Sequence, residues 1–330
     1  MKALVTGGGG FLGGAIVREL LRDGYQVRSF SRGSYASLED LGVEVLQADL
    51  VDVERVREAC CDFDIVFHVA AKTGIWGRYS DYYEVNVKGT ENVISACRQE
   101  GVNRLVYTSS PSVIFDGGDM EGVDERTPYP KHYTAAYPRT KAIAEQLVVK
   151  ANDKTLATVA LRPHLVWGPG DNHLIPGIVA RAQAGKLRKI GRVPKCVDLT
   201  YIDDAAMAHL AAAKRLFPES SISGKTFFIS QGSPIPLWNF IDRVLEIAEL
   251  PKITGTVSPL TAYIAGWICE GVYRAFPLRG EPPITRFLAQ ELASAHWFDI
   301  SAAKRELGYQ PKTSMEEGLR YLREWIHSEK

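Results

Sequence analysis

The sequence has few cysteines, no excess of charge of either sign and no long uninterrupted apolar run. Its five cysteines include no C-x-x-C pair and no Cys/His cluster with metal-ligand spacing, so we expect free thiols and no metal site. Lys plus Arg and Asp plus Glu number 39 each, which gives no general attraction to nucleic acid or to an anionic membrane. With 45% hydrophobic and 24% charged residues, the composition is that of an ordinary globular protein.

Residues 253–269 form an uncharged stretch that includes "LTAYIAGWIC". The stretch is shorter than the run of about 18 apolar residues expected of a spanning helix, so we expect no membrane span. We interpret it as a buried or ligand-lining helix, with Tyr263, Ile264 and Trp267 as candidates for the wall of an alkyl tunnel. The alternative is weak association of this helix with a membrane surface. The first predicted strand begins at residue 3, so we expect no signal peptide and a cytoplasmic location.

Glycine, by contrast, is abundant near the start, in "MKALVTGGGGFLGG". A short apolar run before the glycines predicts a buried strand, and apolar residues at helical spacing after them predict a helix. Gly7, Gly10 and Gly13 have the spacing G-x-x-G-x-x-G. A tight turn, a close approach of the main chain to phosphate and close packing of helix on strand each require a residue without a side chain. The pattern predicts a pyrophosphate site at the N-terminus of the helix.

Strand and helix patterns then alternate, which predicts an α/β fold with a doubly wound parallel sheet, the Rossmann fold. The predicted strands are "VEVLQADL", "DIVFHVAA", "RLVYTSS" and "ATVALRP", and the predicted helices span residues 52–61, 84–100 and 135–150. After "WGPGDN" proline becomes frequent, and short strands such as "GKTFFIS" alternate with helices such as "LWNFIDRVLEIAEL". We expect a dinucleotide-binding domain over residues 1–165. Residues 166–330 are expected to form a smaller mixed substrate domain, with some segments returning to the main sheet.

The end of the second predicted strand, "VRSFSRG", favours NADP over NAD. An NAD-binding fold usually has an acidic residue here, which holds the adenosine ribose. This sequence has Ser31 and then Arg32. Neither side chain repels a phosphate, and a guanidinium binds one well. The alternative is that Arg32 is only a solvated surface side chain.

Residues after the next two strands are expected to complete the adenosine site. Asp49 is placed to accept from the adenine amino group, and Leu50 to pack on the ring. Ala70 and Ala71 are small where the main chain passes the cofactor. His68 lies within an apolar strand, so we interpret it as a core histidine with satisfied hydrogen bonds.

A tyrosine and a lysine four residues apart carry the predicted chemistry, in "AYPRTKAIAEQLV". Tyr137 and Lys141 share one face at the start of a helix. An ammonium next to a tyrosine stabilises the phenolate, which makes Tyr137 a usable proton donor to a carbonyl oxygen. The hydroxyl of Ser110, after the fifth predicted strand, can hold the same oxygen.

Together these motifs resemble those of the extended short-chain dehydrogenase/reductase family. The family pattern T-G-x-x-G-F-x-G matches Thr6 to Gly13, and "LRPHLVWGPG" and "FDISAAKRELGYQP" also resemble family motifs. The resemblance implies a catalytic set of Ser110, Tyr137 and Lys141, with Asn86 of "NVKGTENV" relaying protons beneath the site. The cofactor residues that it implies are Gly7, Gly10, Phe11, Leu12, Gly13, Ser31, Arg32, Asp49, Leu50, Ala70, Ala71, Lys72, Tyr137, Lys141 and Pro163.

Within that family, "AAKTGIWG" and "RGEPPITRF" resemble the 3β-hydroxysteroid dehydrogenase-like group, and most of all the 2-alkyl-3-oxoalkanoate reductases of bacterial olefin biosynthesis. The resemblance implies reduction of the ketone of a long-chain 2-alkyl-3-oxoalkanoic acid by NADPH. It also implies a homodimer that pairs the helices at 84–100 and 135–150, within a larger olefin-biosynthesis assembly.

Other side chains near the strand ends or the tyrosine loop are candidates for substrate contacts: Lys72, Trp76, Arg78, His132, His164 and Trp167. Lys72, Arg78 and His164 are unranked candidates for binding the substrate carboxylate. For each residue in this group, packing or surface exposure is the simpler interpretation.

Three other functions share these motifs. A sterol-4-carboxylate dehydrogenase acts in the oxidative direction, usually with NAD, which Arg32 disfavours. A nucleotide-sugar epimerase tends to keep an acid after the second strand and to have a less apolar C-terminal domain. A non-catalytic NADP sensor typically lacks the tyrosine or the lysine, and this sequence has both.

Overall fold

Strands and helices alternate along the chain, as the sequence predicts. The computed structural model describes residues 1–276, 278 and 280–328; Arg279, the first residue of "RGEPPITRF", lies outside them. The strands are β1 (Lys2–Thr6), β2 (Gln26–Ser31), β3 (Glu44–Gln47), β4 (Ile65–His68), β5 (Arg104–Thr108), β6 (Met120–Val123), β7 (Ala157–Pro163), β8 (Val166–Trp167), β9 (Lys189–Ile190), β10 (Cys196–Val197), β11 (Thr200–Tyr201), β12 (Lys225–Ile229), β13 (Ile235–Pro236), β14 (Thr256–Val257) and β15 (His296–Phe298).

The α-helices flank these strands. They are α1 (Phe11–Arg22), α2 (Ala36–Glu39), α3 (Val53–Cys60), α4 (Tyr79–Tyr83), α5 (Gly89–Gln99), α6 (Ala136–Lys150), α7 (Leu174–Gln183), α8 (Ile202–Arg215), α9 (Leu237–Ile247), α10 (Pro259–Ala275), α11 (Arg286–Ala293) and α12 (Met315–Ser328). A π-helical turn over Glu84–Lys88 joins α4 to α5.

The central sheet of the described residues is parallel, with seven strands in the order β12-β7-β5-β4-β1-β2-β3. The chain moves outward from β1 through β2 to β3 and then returns to place β4 on the other side of β1. This reversal is the point of a doubly wound sheet at which a crevice opens for ligands. The predicted Rossmann fold is confirmed.

Both faces of the sheet are covered by helices, because alternate strand residues point to opposite sides. Leu4 and Val66 belong to the core beneath α3, α5 and α6. Val5 and Phe67 belong to the core on the other face, where α1 packs against α8. The carboxyl ends of the strands are thereby held at one edge.

The C-terminal half is a smaller mixed region. Its strands β13, β10 and β15 form a four-stranded sheet with β6, in the order β13-β10-β15-β6, that contains both parallel and antiparallel pairs. Three segments of this half join the first half: β15 pairs with β6, β12 extends the central sheet beside β7, and α8 packs on α1. The boundary near residue 165 stays a prediction.

Helix α10 corrects one expectation from the sequence. The uncharged stretch is helical from Pro259, but Ile264 and Trp267 are 47% and 62% exposed, so they do not line a buried tunnel. The buried positions of α10 are Ala262, Gly266 and Glu270. Gly266 allows the close packing of α11, since a Cβ there would come within 2.6 Å of the carbonyl carbon of Thr285. No helix among the described residues is long and apolar enough to cross a bilayer.

Candidate active site

The glycine turn between β1 and α1 has the geometry that the sequence predicts. Gly7 has a φ of +73°, and its N–H donates to the carbonyl of Phe30 at 2.8 Å. A Cβ on Gly13 would lie 2.0 Å from the Gly7 carbonyl oxygen, so helix and turn are in contact. No side chain caps α1 at Gly10, which leaves the first N–H groups of the helix open to an anion. The turn therefore fits a pyrophosphate.

This turn faces an open cleft of about 590 Å³ beside the junction of β1 and β4. Predicted cofactor residues that line the cleft are Gly7, Gly10, Ser31, Arg32, Asp49, Leu50, Ala70 and Ala71. The other predicted cofactor residues lie on elements around it: Phe11, Leu12 and Gly13 begin α1, Lys72 follows β4, and Pro163 ends β7. The cleft thus runs from the end of β3 across the glycine turn to the loop after β4, which suits a dinucleotide.

Tyr35 is a cleft residue that the sequence analysis missed. Its ring lies over the glycine turn, where a Cβ on Gly9 would come within 2.1 Å of it, and it also contacts Gly33. Ser31 and Arg32 line the same part of the cleft. A lone tyrosine in a loop carries no sequence pattern, so no signal was available to find it.

Helix α6 places the predicted catalytic pair and one further charged residue on a single face, at positions 137, 141 and 145. Lys141 is buried, and its Nζ donates to the carbonyl of Thr108 at 2.6 Å. Glu145 is buried one turn further along, where it forms a two-point ion pair with Arg162 of β7 at 2.9 and 2.6 Å. This ion pair fixes α6 against the sheet, and so fixes the height of Tyr137 above the strand ends.

Burial controls the protonation of Tyr137 and Lys141. Burial raises the pKa of Tyr137 to about 12; a hydrogen bond with Ser110 acts to lower this pKa, and the charge of Glu291 acts to raise it. Burial lowers the pKa of Lys141 to about 7, although the negative charge of Glu145 acts to raise it. The phenol is thus protonated at neutral pH, as a proton donor must be, and the lysine is close to its titration point.

Ser110 lies at the end of the loop after β5, where its Oγ is 2.9 Å from Ser112 Oγ. Asn86 lies inside the π-helical turn, and its side chain holds the loop after β4. Its Oδ1 accepts from the Lys72 N–H at 2.7 Å, and its Nδ2 donates to the Lys72 carbonyl and to Thr140 Oγ1, both at 3.0 Å. Asn86 therefore connects that loop to α6, and the proton relay implied for it stays a prediction.

His68 is a core histidine, as the sequence analysis expects. Its Nδ1 is 2.8 Å from Thr6 Oγ1 and its Nε2 is 2.9 Å from Thr90 Oγ1, so both ring nitrogens have partners. Burial lowers its pKa to about 3. Trp167 is also buried and packs against Tyr201, whereas His132 is exposed.

Two cavities lie near Tyr137. One, of about 60 Å³, is lined by Tyr137 itself with Trp76, Tyr82, Glu270 and Arg274 among others. The other, of about 180 Å³, is largely apolar and is formed by side chains of α7, α9 and α11 with the strand ends. Its apolar lining residues are Leu165, Leu174, Ile178, Leu187, Val197, Leu199, Leu237, Phe240, Ile241, Leu288 and Leu292. The apolar wall is thus made by these residues rather than by Ile264 and Trp267.

The lining of the apolar cavity also includes polar side chains, among them His164, His296 and Glu291. His164 was a candidate from the sequence for binding the substrate carboxylate, whereas His296 and Glu291 were not predicted to be near the site. His164 and His296 are buried edge to face at 5.6 Å, and burial holds the pKa of each below its usual value. Neither His164 Nε2 nor His296 Nδ1 has a hydrogen-bond partner within the described residues. Burial raises the pKa of Glu291 to about 7. A neutral His164 is poorly suited to bind a carboxylate.

No group of three or more His, Cys, Asp or Glu side chains in the described part of the chain is arranged to hold a metal ion.

Comparison with known proteins gives consistent results. The model of the 3-beta hydroxysteroid dehydrogenase/isomerase family matches residues 4–257. A 2-alkyl-3-oxoalkanoate reductase of Stenotrophomonas maltophilia (strain K279a) is 48% identical over 98% of each chain. A decarboxylating sterol-4-alpha-carboxylate 3-dehydrogenase of Schizosaccharomyces pombe is 36% identical over 100% of this chain and 99% of its own. Among solved structures, MoeE5 in complex with UDP-glucuronic acid and NAD has a TM-score of 0.76 at 25% identity, with 100% of each chain covered.

Proposed function

The chain belongs to the 3-beta hydroxysteroid dehydrogenase/isomerase family of extended short-chain dehydrogenases/reductases, and from that premise we propose that it is an NADPH-dependent ketoreductase. Its substrate in this proposal is a long-chain 2-alkyl-3-oxoalkanoic acid, reduced at the 3-keto group to the 2-alkyl-3-hydroxy acid. The observation that carries the proposal is the position of Tyr137, which lines the small cavity and is influenced by the charge of Glu291 in the apolar cavity. Asn86 connects its helix to the loop that follows Ala71 of the dinucleotide cleft. That the chain is an oxidoreductase follows from the family.

When bound, the reduced nicotinamide supplies the hydride that reaches C3 of the substrate. The π electrons of the C=O bond move to the oxygen, which takes the proton of the Tyr137 hydroxyl. Ser110, which shares a hydrogen bond with Tyr137, holds the same oxygen. Lys141 lies one helical turn from Tyr137 and stabilises the phenolate that is left. In the proposal Lys141 also holds the nicotinamide ribose, and Asn86 positions the Lys72 loop beneath the site.

NADPH is the proposed form of the cofactor because Ser31 and Arg32 line the cleft at the end of β2. A guanidinium binds the 2′-phosphate with charge-assisted hydrogen bonds, and no carboxylate follows β2 to repel it. The nearest acid after a neighbouring strand is Asp49, which is proposed to contact the adenine. MoeE5 was solved with NAD, so the proposal of NADPH rests on the residues of this chain and not on that structure.

The apolar cavity supports a long-chain substrate. Its wall has Leu and Ile side chains from three helices, and a methylene transferred into such surroundings contributes about 0.8 kcal/mol. An alkyl chain of several carbons can therefore decide specificity. In the proposal the reaction belongs to olefin biosynthesis in the cytoplasm. The protein would act as a homodimer within a larger assembly, a part that rests on the family resemblance.

The test is a screen of NADPH oxidation with 2-alkyl-3-oxo acids of increasing chain length, beside a sterol 4-carboxylate and UDP-glucuronic acid. We expect kcat/KM to rise with each added methylene until the cavity is filled. A sterol dehydrogenase is the second candidate, because the Schizosaccharomyces relative is 36% identical over the whole chain. A flat chain-length series, or faster turnover of the sterol or the UDP-sugar, would overturn the proposed substrate.

A pair of matched variants locates the alkyl chain. Leu292→Trp adds volume inside the apolar cavity, so it should move the optimum to shorter chains. Ile264→Trp makes a similar change on the exposed face of α10 and should leave the series unaltered. An equal shift in both variants, or no shift in Leu292→Trp, would remove the alkyl chain from this cavity.

A further inference from the structure

The small cavity at Tyr137 differs from the apolar cavity in the character of its lining. Among the residues that line it are Tyr137, Trp76, Glu270, Arg274 and Thr285. Each cavity has one arginine in its lining, Arg274 in the small one and Arg181 in the apolar one, but the surface of the small cavity is mainly polar, and its volume of about 60 Å³ is a third of that of the apolar cavity. An alkyl chain gains little beside charged groups, so this cavity suits a small polar part of a substrate.

The ion pairs around Glu270 leave one of its two arginines available. Glu270 is 3% exposed and accepts from the main-chain N–H of Arg286 at 2.8 Å and from its guanidinium at 2.7 and 3.0 Å. Arg274 reaches the same carboxylate only at 3.4 Å, and its side chain is 64% exposed. Since Arg286 already satisfies Glu270, the positive charge of Arg274 faces the cavity largely uncompensated.

Other charges nearby do not change this balance. Lys72 Nζ lies 5.3 Å from the centre of the Tyr82 ring, and the charge of Glu281 also acts on Tyr82. The two are of opposite sign and offset each other. The acids near the cavity are Glu270, Glu281 and Glu291, and the cations are Lys72, Arg274 and Arg286. Burial raises the pKa of Glu291 to about 7, which reduces its negative charge near neutral pH.

Arg274 is also held in place. Its guanidinium lies 5.6 Å from the ring of Trp76, a cation–π contact, and Trp76 packs edge to face with Tyr273. Its position at the C-terminal end of α10 is set by Glu270 one turn earlier. A guanidinium fixed in this way can present two parallel N–H groups to a carboxylate.

The substrates named for the two relatives share one feature. A 2-alkyl-3-oxoalkanoate and a sterol-4-alpha-carboxylate that reacts at C3 both have a carboxylate on the carbon next to the reacting one. A carboxylate placed so must lie within a few atoms of the tyrosine hydroxyl. Arg274 is the cation that lines the cavity containing Tyr137, whereas Lys72, Arg78 and His164 do not line it.

We propose that Arg274, positioned by Glu270 and Trp76, binds the substrate carboxylate and thereby selects 3-oxo acids over ketones and esters. This proposal rests on the proposed function, because it assigns one part of that substrate. Arg78, the candidate that the sequence offered in the same loop as Trp76, is paired with Asp81 and is 84% exposed.

The test compares a 2-alkyl-3-oxo acid with its methyl ester of the same chain length, in the parent protein and in Arg274→Ala, Arg274→Lys and Arg78→Ala. We expect Arg274→Ala to lower kcat/KM for the acid about 10- to 100-fold, mainly through KM, and to leave the ester unchanged. Arg274→Lys should recover part of the loss, because the charge remains without the two-point geometry. Arg78→Ala, the matched exposed arginine, should behave as the parent does.

The outcomes separate this inference from the proposed function. Equal losses for acid and ester in Arg274→Ala, or the acid-specific loss in Arg78→Ala instead, would overturn the role of Arg274 while the ketoreductase stands. A parent protein that reduces acid and ester equally well would do the same. A parent that reduces neither would overturn the proposed function and this inference together. Thermal unfolding of each variant checks that the fold is retained.

Discussion

The wall of the cleft that faces the dinucleotide is made mainly of main chain, whereas the wall that faces the substrate is made of side chains. On the first wall, Gly7 and Gly13 are close enough that a single added Cβ would collide with a carbonyl oxygen. On the second wall, α7, α9, α10 and α11 each contribute between two and four side chains. Few residue types are tolerated at positions where main-chain groups are in close contact, whereas many are tolerated where side chains line a cavity.

This difference has a functional consequence. The pyrophosphate is common to NAD and NADP, so the wall that faces it can be fixed by glycines at a set spacing. The substrate varies, and its wall can change one side chain at a time without disturbing the sheet. Tyr137, the proposed proton donor, lies on α6, which the Glu145–Arg162 ion pair anchors to the sheet.

The largest effect on activity is expected for Tyr137→Phe. This variant removes the proposed proton donor, and general acid catalysis contributes about 10²- to 10⁴-fold to the rate, so kcat should fall by this factor. NADPH binding should be nearly unchanged, because the glycine turn, Lys141 and Arg32 are intact. Steady-state kinetics gives kcat, and fluorescence titration with NADPH gives the Kd.

Tyr133→Phe is the matched control for that variant. Tyr133 is half-buried four residues earlier, and its hydroxyl donates to the carbonyl of Val113 rather than facing a reacting group. It should retain most of the activity. A loss in Tyr137→Phe of less than about tenfold would contradict the assignment of the proton donor.

The contrast between the walls also explains what the sequence could predict. Alternating strand and helix patterns predicted the Rossmann sheet, and the glycine spacing predicted the tight turn, because few other structures require these patterns. The structure confirms the sheet and the turn. The uncharged stretch at 253–269 correctly predicted a helix but not its orientation, since Trp267 faces outward and Glu270 inward. The sequence did not predict that Arg274 and Glu291 line the cavities, because a charged residue on an amphipathic helix is ordinarily solvated. Only the packing of α10 and α11 turns them toward the site.

Arg32 is the side chain of the cofactor cleft that we propose to recognise the 2′-phosphate of NADPH. Arg32→Ala should remove most of the preference for NADPH over NADH. A hydrogen bond to a charged group contributes about 1.5–3 kcal/mol, which corresponds to about a 10- to 100-fold change in selectivity. The measurement is the ratio of kcat/KM for the two cofactors.

Arg126→Ala is a suitable comparison, because Arg126 is 91% exposed and paired with Asp124. It should leave the cofactor ratio unaltered. If the parent protein uses NADH as well as NADPH, the interpretation of Ser31 and Arg32 is wrong, and the cofactor wall has no side-chain selectivity at all.

The smallest effect is expected for Glu291, an acidic side chain in the lining of the largely apolar cavity, and it concerns stability. Burial raises its pKa from 4.5 to about 7, so between these values the unfolded chain loses this proton while the folded protein keeps it. The free energy of unfolding therefore falls as pH rises across this window, and is constant in this respect above it. Glu291→Gln cannot titrate, so it should be more stable than the parent by about 1–2 kcal/mol near neutral pH, with little difference near the lower end of the window.

Denaturant unfolding at about pH 5 and about pH 8 measures this difference. Glu121→Gln, at an exposed position of β6, is the control and should show no pH-dependent gain. An equal gain for Glu291→Gln at both pH values would mean that the carboxyl is not held protonated by its surroundings. A gain that appears only at the higher pH would show that the apolar wall tolerates Glu291 at a cost in stability.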